Sequence, residues 1–245
     1  MTFMVKKLSM AVVGATFSTF ILTVSKADAA VIVLDFEGLQ NLEEIQDYYN
    51  GGVGSLGSGP GPNFGVTFSD NSLAIIKNTA GGSGNFGGTP SGDTIAFFLS
   101  GTANIMNVIN GFDTGFSFFY SAVNNPGFVE VYDDIDGTGN LLASIGLPLT
   151  PDGSSDPACD FNNFCPFVPI GVAFSGIAKS VNFGGSANQI GFDDITLGSA
   201  TPGNGNGRTV PEPTSTLSLL ALGTLGAVST LKRKLKSKSP ETQTI

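Results

Sequence analysis

The sequence contains no histidine and no tryptophan, and only two cysteines among its 245 residues. Without histidine, neither a Ser-His-Asp nor a Cys-His mechanism can be assembled, because both use an imidazole as the general base. The same absence leaves the two cysteines without the further soft ligands that a zinc centre needs. Most hydrolase mechanisms are therefore excluded.

Basic residues are scarce in the body of the chain. Between residues 30 and 231, three basic residues (Lys77, Lys179 and Arg208) stand against 18 Asp and Glu, which gives a net charge of −15. A segment this acidic repels phosphate backbones, so we expect no nucleic acid partner. Cations, neutral glycans and other proteins remain as partners.

The composition is rich in glycine and phenylalanine, with 34 Gly, 20 Phe and 41% hydrophobic residues. Apolar and polar residues alternate with a period of two, and turn residues recur between the alternating runs, which is typical of half-buried strands. Eleven strands are predicted: 31–36, 65–68, 73–77, 94–99, 105–109, 115–120, 127–132, 141–145, 172–174, 178–183 and 189–197. Many strands without helical crossovers predict an all-β, antiparallel two-sheet β-sandwich of the jelly-roll kind.

One short helix is predicted near the start of this domain. Asn41 can cap it, Glu44 completes a capping box, and Gly51-Gly52 ends it. Glu43 and Glu44 would then lie on its exposed face. The Gly-rich and Pro-rich stretches 51–62 and 80–93 are predicted to be surface loops.

The N-terminal end has the pattern of a secretory signal. Lys6 and Lys7 precede an apolar run from Leu8 to Val24, and Ala27-Asp28-Ala29 provides the small residues that signal peptidase accepts. We expect cleavage after residue 29, with a membrane-spanning anchor as the alternative.

The C-terminal end combines three features in order. Val210-Pro211-Glu212-Pro213 is followed by an apolar stretch to Leu231, and residues 232–238 are strongly basic. This order resembles the PEP-CTERM sorting signal of exported bacterial proteins. The resemblance implies a hydrophobic helix that holds the protein in the membrane until an exosortase-like enzyme processes the tag. An ordinary transmembrane anchor is the alternative.

These patterns divide the chain into five parts. They are a signal peptide (1–29), a β-sandwich domain (30–198), a Gly/Asn/Pro linker (199–209), the sorting tag (210–238) and a polar tail (239–245). The expected location is the cell envelope, the cell surface or the extracellular space.

The domain opens on Leu34-Asp35-Phe36-Glu37-Gly38-Leu39 and closes on Ile190-Gly191-Phe192-Asp193-Asp194-Ile195-Thr196-Leu197. These ends resemble the jelly-roll modules often carried by PEP-CTERM proteins. Such modules look like carbohydrate-binding and lectin-like sandwiches.

The two ends also carry four acidic residues, Asp35, Glu37, Asp193 and Asp194. The first and last strands of a jelly roll commonly lie side by side, so these carboxylates could share a structural Ca²⁺, which binds oxygen ligands. The alternative is that they accept hydrogen bonds from backbone amides or water.

Two further motifs have structural interpretations. Cys159 and Cys165 are close enough in sequence to form a disulfide in an exported protein, with two free buried thiols as the alternative. The segment 133–140, Asp-Asp-Ile-Asp-Gly-Thr-Gly-Asn, resembles the start of a calcium loop but lacks the later glutamate of an EF-hand, so a hairpin turn is predicted.

We expect a non-enzymatic protein whose sandwich is structural or binds a glycan. The alternative is a glycan-cleaving enzyme that uses two carboxylates, which requires only a suitable separation between them. The candidate carboxylates are Glu37, Glu43, Glu44 and Glu130, and the candidate sugar-stacking residues are Tyr48, Tyr49, Tyr120 and Tyr132.

Overall fold

The computed structural model describes residues 31–203, which form an all-β domain. Its strands are β1 Ile32–Leu34, β2 Glu43–Glu44, β3 Val66–Phe68, β4 Ser72–Ile76, β5 Thr94–Phe98, β6 Ala103–Phe112, β7 Gly115–Ser121, β8 Gly127–Tyr132, β9 Leu141–Leu147, β10 Val168–Ala173, β11 Ala178–Gly184 and β12 Gly191–Leu197. The helices of the described part are two 3₁₀ turns, Asn78–Ala80 and Pro157–Cys159. The predicted signal peptide and sorting tag lie outside the described residues.

The strands form two antiparallel sheets. The seven-stranded sheet has the order β10-β7-β12-β5-β4-β2, and β1 also pairs with β12. Along one side of β12, Phe192 pairs with Ala96 of β5 and Leu197 pairs with Ile32 of β1. The first and last strands of the domain are therefore neighbours, as the sequence predicted.

The five-stranded sheet has the order β3-β6-β11-β8-β9. Every strand of both sheets finds its pairing partner within 31–203, so this fragment holds the complete sandwich. The predicted two-sheet fold is confirmed.

The core between the sheets is built largely from phenylalanine. Phe116 and Phe118 of β7 are fully buried, and Phe183 of β11 contacts Phe192 of β12 edge to face with ring centroids 4.9 Å apart. Each such side chain contributes on the order of 2 kcal/mol through burial. The alternating phenylalanines are core residues, as their period of two indicates.

The helix predicted after Asn41 is wrong. Glu43–Glu44 form β2, which pairs with Leu73 and Ala74 of β4. Leu42 has a φ of 60°, which an α-helix does not allow. The Asn41 side chain caps no helix and instead accepts hydrogen bonds from distant backbone amides.

All eleven predicted strands have counterparts in the structure, although their bounds shift. The largest shift is at β10, which begins at Val168 rather than 172. Pro169 and Gly171 obscure the strand pattern there. Pro169 is tolerated because β10 lies at the edge of its sheet.

Candidate functional site

The predicted calcium ligands at the start of the domain bind protein donors. Oδ1 of Asp35 accepts a hydrogen bond from the Glu37 N–H at 3.3 Å, and the Tyr49 hydroxyl lies 3.5 Å from the same oxygen. Oε1 of Glu37 accepts from the N–H groups of Asp93 at 2.9 Å and Thr94 at 2.8 Å. Glu37 thus ties the segment after β1 to the start of β5.

The predicted calcium ligands at the end of the domain are more deeply buried. Asp193 and Asp194 are both fully buried. The Asp193 carboxylate accepts hydrogen bonds from the Ser91 hydroxyl at 3.2 Å and the Asp194 N–H at 2.8 Å. Burial, followed by the neighbouring charge of Asp194, raises the pKa of Asp193 well above its ordinary value.

Within residues 31–203, no group of three or more acidic, histidine or cysteine side chains is arranged to hold a metal ion. Hydrogen bonds to protein donors already use oxygens of Asp35, Glu37 and Asp193. Calcium binding at these four carboxylates stays a prediction.

The outer face of the seven-stranded sheet, here called the covered face, is overlaid by loops. Phe86 and Phe167 from two of these loops pack with Ile95 of β5 in a small apolar cluster outside the main core. The two loops are joined by hydrogen bonds, because the Asn162 side chain donates to the Phe86 carbonyl at 3.1 Å. The loops on the covered face are therefore held in place by apolar packing and by hydrogen bonds.

The predicted disulfide joins Cys159 and Cys165, whose Cα atoms are 5.6 Å apart. Both cysteines are buried. The bond closes the loop that supplies Asn162, so it holds this part of the cover in place.

The C-terminal end of the described chain also lies on the covered face. Ala200 sits directly over Gly115 of β7 and Gly171 of β10, where a Cβ atom would collide with it. The Ser117 hydroxyl donates to the Ser199 carbonyl at 2.8 Å. The first residues of the predicted linker are therefore docked on the sheet.

A small hollow of about 30 Å³ remains on the covered face. It is lined mainly by apolar side chains, with two amides at its rim: Ile75, Phe86, Ile95, Phe97, Phe164, Ile190, Asn85 and Asn188. Ligand sites usually measure hundreds of Å³. The hollow is too small to hold a sugar ring.

The aromatic candidates from the sequence divide sharply. Tyr48, Tyr49 and Tyr120 are buried in the core and present no surface to a ligand. Tyr132 is half-buried on the outer face of the five-stranded sheet. We call this the open face, and it consists of the outward residues of β6, β11, β8 and β9.

The most exposed aromatic ring of the open face is Phe128 of β8, with 39% of its surface exposed. Phe128 pairs with Gly184 of β11 on one side and with Gly146 of β9 on the other. A Cβ atom on Gly184 would collide with the Phe128 ring, whereas one on Gly146 would meet nothing within 4 Å. The ring therefore lies over Gly184 and turns its other side to solvent.

Polar groups stand beside this ring. Oε2 of Glu130 accepts hydrogen bonds from the Tyr132 hydroxyl at 2.8 Å and the Asn182 amide at 3.4 Å. Oδ1 of Asn182 is buried and has no hydrogen-bond partner among the described residues. Ser144 of β9 lies directly across from Glu130 and is exposed.

The hydrogen bond to Glu130, together with burial, raises the pKa of Tyr132. Like any tyrosine hydroxyl, that of Tyr132 is protonated at neutral pH, and it donates to Glu130. The hydrogen bond from Tyr132 holds the Glu130 carboxylate in place through its Oε2 atom.

The predicted hairpin turn 133–140 connects β8 to β9 and borders the open face. The Asn107 amide donates to Oδ1 of Asp136 at 2.7 Å, and the Gly137 N–H donates to the Ser180 hydroxyl at 3.0 Å. The turn is thereby fastened to β6 and β11. The turn lies at one end of the open face.

Sequence reasoning placed Glu130 on the outside of its strand correctly, but it missed Phe128 as a surface residue. Phe128, Glu130 and Tyr132 alternate outward, while Val129 and Val131 are fully buried. The alternation of outward and inward residues along β8 was the sequence signal that could have identified Phe128 as a surface residue. The position of Gly184 under the Phe128 ring depends on the pairing of β8 with β11, which the sequence does not reveal.

No curated protein sequence matches this chain. Several solved carbohydrate-binding modules are similar in structure at low TM-scores. The module CBM6cm-2 of Cellvibrio mixtus lichenase 5A, solved with cellotriose, has 9% identity and a TM-score of 0.31, over 52% of this chain and 86% of the module. TmCBM61, solved with β-1,4-galactotriose, has 12% identity and a TM-score of 0.34, over 65% and 97%.

The family 11 module of Clostridium thermocellum, solved with a mixed-linked tetrasaccharide, has 14% identity and a TM-score of 0.31, over 70% of this chain and 96% of the module. The two-sheet architecture described above is established by the strand pairing of the chain itself.

The described part of the chain has no helix of sufficient length and hydropathy to traverse a lipid bilayer. Residues 209–234 match the family model of the PEP-CTERM protein-sorting motif. This match confirms the resemblance noted at Val210-Pro211-Glu212-Pro213. The chain carries a PEP-CTERM sorting motif, which marks an exported and sorted protein.

Proposed function

We propose that this protein is a non-enzymatic, exported component of the cell surface or extracellular matrix, whose open face binds a polysaccharide. An exosortase-like enzyme would process the tag at 210–238 and release the chain from its C-terminal membrane helix. The observation that carries the binding proposal is the exposed Phe128 ring held over Gly184 beside Glu130 and Asn182.

This combination suits the chemistry of a sugar. One face of a sugar ring presents C–H groups, which stack on an aromatic ring, and its rim presents hydroxyls that both donate and accept. On the open face, Phe128 supplies the ring, Glu130 supplies acceptor oxygens, and the exposed Ser144 hydroxyl, directly across from Glu130, can donate and accept.

The charge of the domain narrows the class of glycan. Residues 31–203 contain 17 acidic residues and two basic ones, Lys77 and Lys179. Lys77 is already paired with Asp93 at 2.8 Å. An anionic polysaccharide would be repelled, so the proposed ligand is neutral or bridged by a cation.

The positions of Glu37 and Glu43, two of the four candidate carboxylates, support a binding role over catalysis. A glycosidase needs two carboxylates facing each other across a cleft. Glu37 and Glu43 instead bind backbone amides, and Glu43 is fully buried rather than exposed on a helix as the sequence predicted. The side chains that line the hollow on the covered face include no carboxylate.

The test is a glycan array with the fragment 30–203, with and without Ca²⁺, followed by calorimetric titration of the best ligand. Phe128→Ala should weaken binding about tenfold, since an aromatic contact contributes on the order of 1.5 kcal/mol. Phe161→Ala is the matched control, because Phe161 is a 64% exposed phenylalanine on the loop over the covered face.

Equal losses in the two variants, or no binding to any glycan by a folded domain, would overturn the proposal. The second result would favour a purely structural role. Hydrolysis of a bound oligosaccharide would favour the enzyme alternative.

A further inference from the structure

Strand β9 is an edge of the five-stranded sheet, and within the described residues it pairs only with β8. The hydrogen-bonding groups on its other side therefore face away from the sheet. Such unpaired edges are sites where another strand can add.

Apart from one register irregularity at Leu142 in its pairing with β8, the edge at β9 lacks the usual features that prevent strand addition. It is seven residues long, Leu-Leu-Ala-Ser-Ile-Gly-Leu, with no charge and no proline. In contrast, the edge strands β2 and β3 have only two and three residues, and β10 contains Pro169. Short strands, charges, prolines and bulges are among the devices by which proteins protect their edges.

Exposed leucines flank the same edge. Leu141, the first residue of β9, is 53% exposed, and Leu149, two residues past its end, is 55% exposed. Exposed apolar side chains at both ends of an unprotected edge are what a pairing partner would bury.

We propose that β9 pairs with β9 of a second copy of this chain, in antiparallel orientation. A second copy is the fitting partner because antiparallel pairing of an edge with itself is closed by a two-fold axis. In a domain with 17 acidic and two basic residues, the uncharged β9 edge also lets two copies approach with little repulsion.

Because the pairing of β8 with β9 shifts register between Leu141 and Ala143, pairing about Ser144 sets Leu141 of one copy opposite Gly146 of the other. The acidic turn 133–140, which precedes β9, then lies beside the uncharged Leu147–Leu149 segment of the other copy rather than beside a second acidic turn. The two five-stranded sheets join into one sheet with both open faces on its surface. A dimer would thus present two copies of Phe128, which raises avidity if the open face binds a repeating polymer.

The dimer is tested with the fragment 30–203 by light scattering after size exclusion and by analytical ultracentrifugation. We expect twice the monomer mass at micromolar concentrations. Leu141→Lys with Gly146→Lys should raise the dissociation constant at least about tenfold, because four like charges would face each other across the two-fold axis. Gly146 accepts a side chain, since an added Cβ meets nothing within 4 Å.

Leu56→Lys with Leu99→Lys is the matched control, because both leucines are exposed, at 58% and 47%, and lie outside β9. This control adds the same charge and should leave the dimer intact. A monomer at all concentrations, or a dimer that both pairs of substitutions disturb equally, would overturn the proposal.

A cross-link provides a second readout. Ser144→Cys should form an intermolecular disulfide on mild oxidation, because directly opposed residues have Cβ atoms about 5 Å apart. Ser100→Cys, at an exposed turn outside β9, should not. Glycan binding is measured on the unsubstituted fragment whatever its oligomeric state, so failure of the dimer and failure of the glycan proposal can be told apart.

Discussion

The two outer faces of this sandwich differ in what lies on them. The covered face carries two loops joined by Asn162, the buried disulfide Cys159–Cys165 and the docked segment 199–203. The open face carries one hairpin turn at its end and leaves Phe128 exposed. Both faces have aromatic residues on the sheet side, and on the covered face the loops bury Phe86 and Phe167 against it.

This contrast explains where binding surface is available. Burying a whole phenylalanine side chain contributes roughly 2 kcal/mol, and Phe128, which is 39% exposed although it packs over Gly184, forgoes part of this free energy. On the covered face the chain recovers this free energy with its loops. On the open face Phe128 stays available to a ligand.

The largest expected effect comes from removing the disulfide that holds a loop on the covered face. Replacing both Cys159 and Cys165 by serine should lower the free energy of unfolding by about 2.5 kcal/mol, because the disulfide restricts the unfolded chain. Urea unfolding measures this loss, and Phe161→Ala, which keeps the disulfide, is the control. Glycan binding by the folded variant should be unchanged. Reduced affinity would contradict the independence of the two faces.

The next effect concerns a buried charge at the edge strand β2. Burial alone would raise the pKa of Glu43, but hydrogen bonds from Ser58, Gln40 and Leu56 hold it below the ordinary value. A depressed pKa stabilises the fold above the unfolded-state pKa, and this stability is lost as the pH falls through the folded-state pKa.

Glu43→Gln should therefore lower the free energy of unfolding by about 2 kcal/mol at neutral pH, since hydrogen bonds to a charged acceptor are lost. The difference from the unsubstituted protein should shrink below about pH 4.5. Glu44→Gln is the control, because Glu44 is only half-buried. A loss that does not vary with pH would show that the ionised carboxylate is not responsible.

A smaller effect isolates the platform under Phe128. Gly184→Ala should push the ring off the sheet and weaken glycan binding about fivefold, or about 1 kcal/mol, with the domain still folded. Gly146→Ala adds the same methyl group on the other side of Phe128, where there is open space. Calorimetric titration compares the two variants. Equal affinities would mean that the ring position does not control binding.

The last test, with an expected effect no larger than that of Gly184→Ala, concerns calcium at the domain ends. EDTA should lower the melting temperature by about 3 °C, equivalent to about 1 kcal/mol for a domain of this size. Differential scanning calorimetry of Asp193→Asn should show no response to EDTA. An unchanged melt of the unsubstituted protein would mean that protein donors alone satisfy these carboxylates.

The sheets were predictable because alternating burial leaves a period of two in the sequence, as in β7 and β8. The failed helix shows the limit of local signals. Asn41 has the sequence context of a helix cap, yet its side chain binds the amides of Ile76 and Ser83, 35 and 42 residues away. Partners that distant leave no local trace.

The candidate site has the same limit. Alternation indicates that Glu130 and Tyr132 point outward, but the position of the Phe128 ring depends on the register between β8 and β11. That register brings Gly184 opposite Phe128, and no local pattern specifies it. The acidic residues at the domain ends were identified from sequence, whereas their hydrogen-bond donors, such as Ser91, were not.

Because Ala200 is docked over Gly115 and Gly171, only a short segment of chain separates the domain from the sorting motif. The described chain ends at Gly203, whose N–H donates to the Thr196 hydroxyl at 3.0 Å, and the sorting motif begins at residue 209. Six residues of extended chain span at most about 20 Å. The covered face is therefore the side of the sandwich that stays within this distance of the sorting motif, and the open face with Phe128 lies on the opposite side.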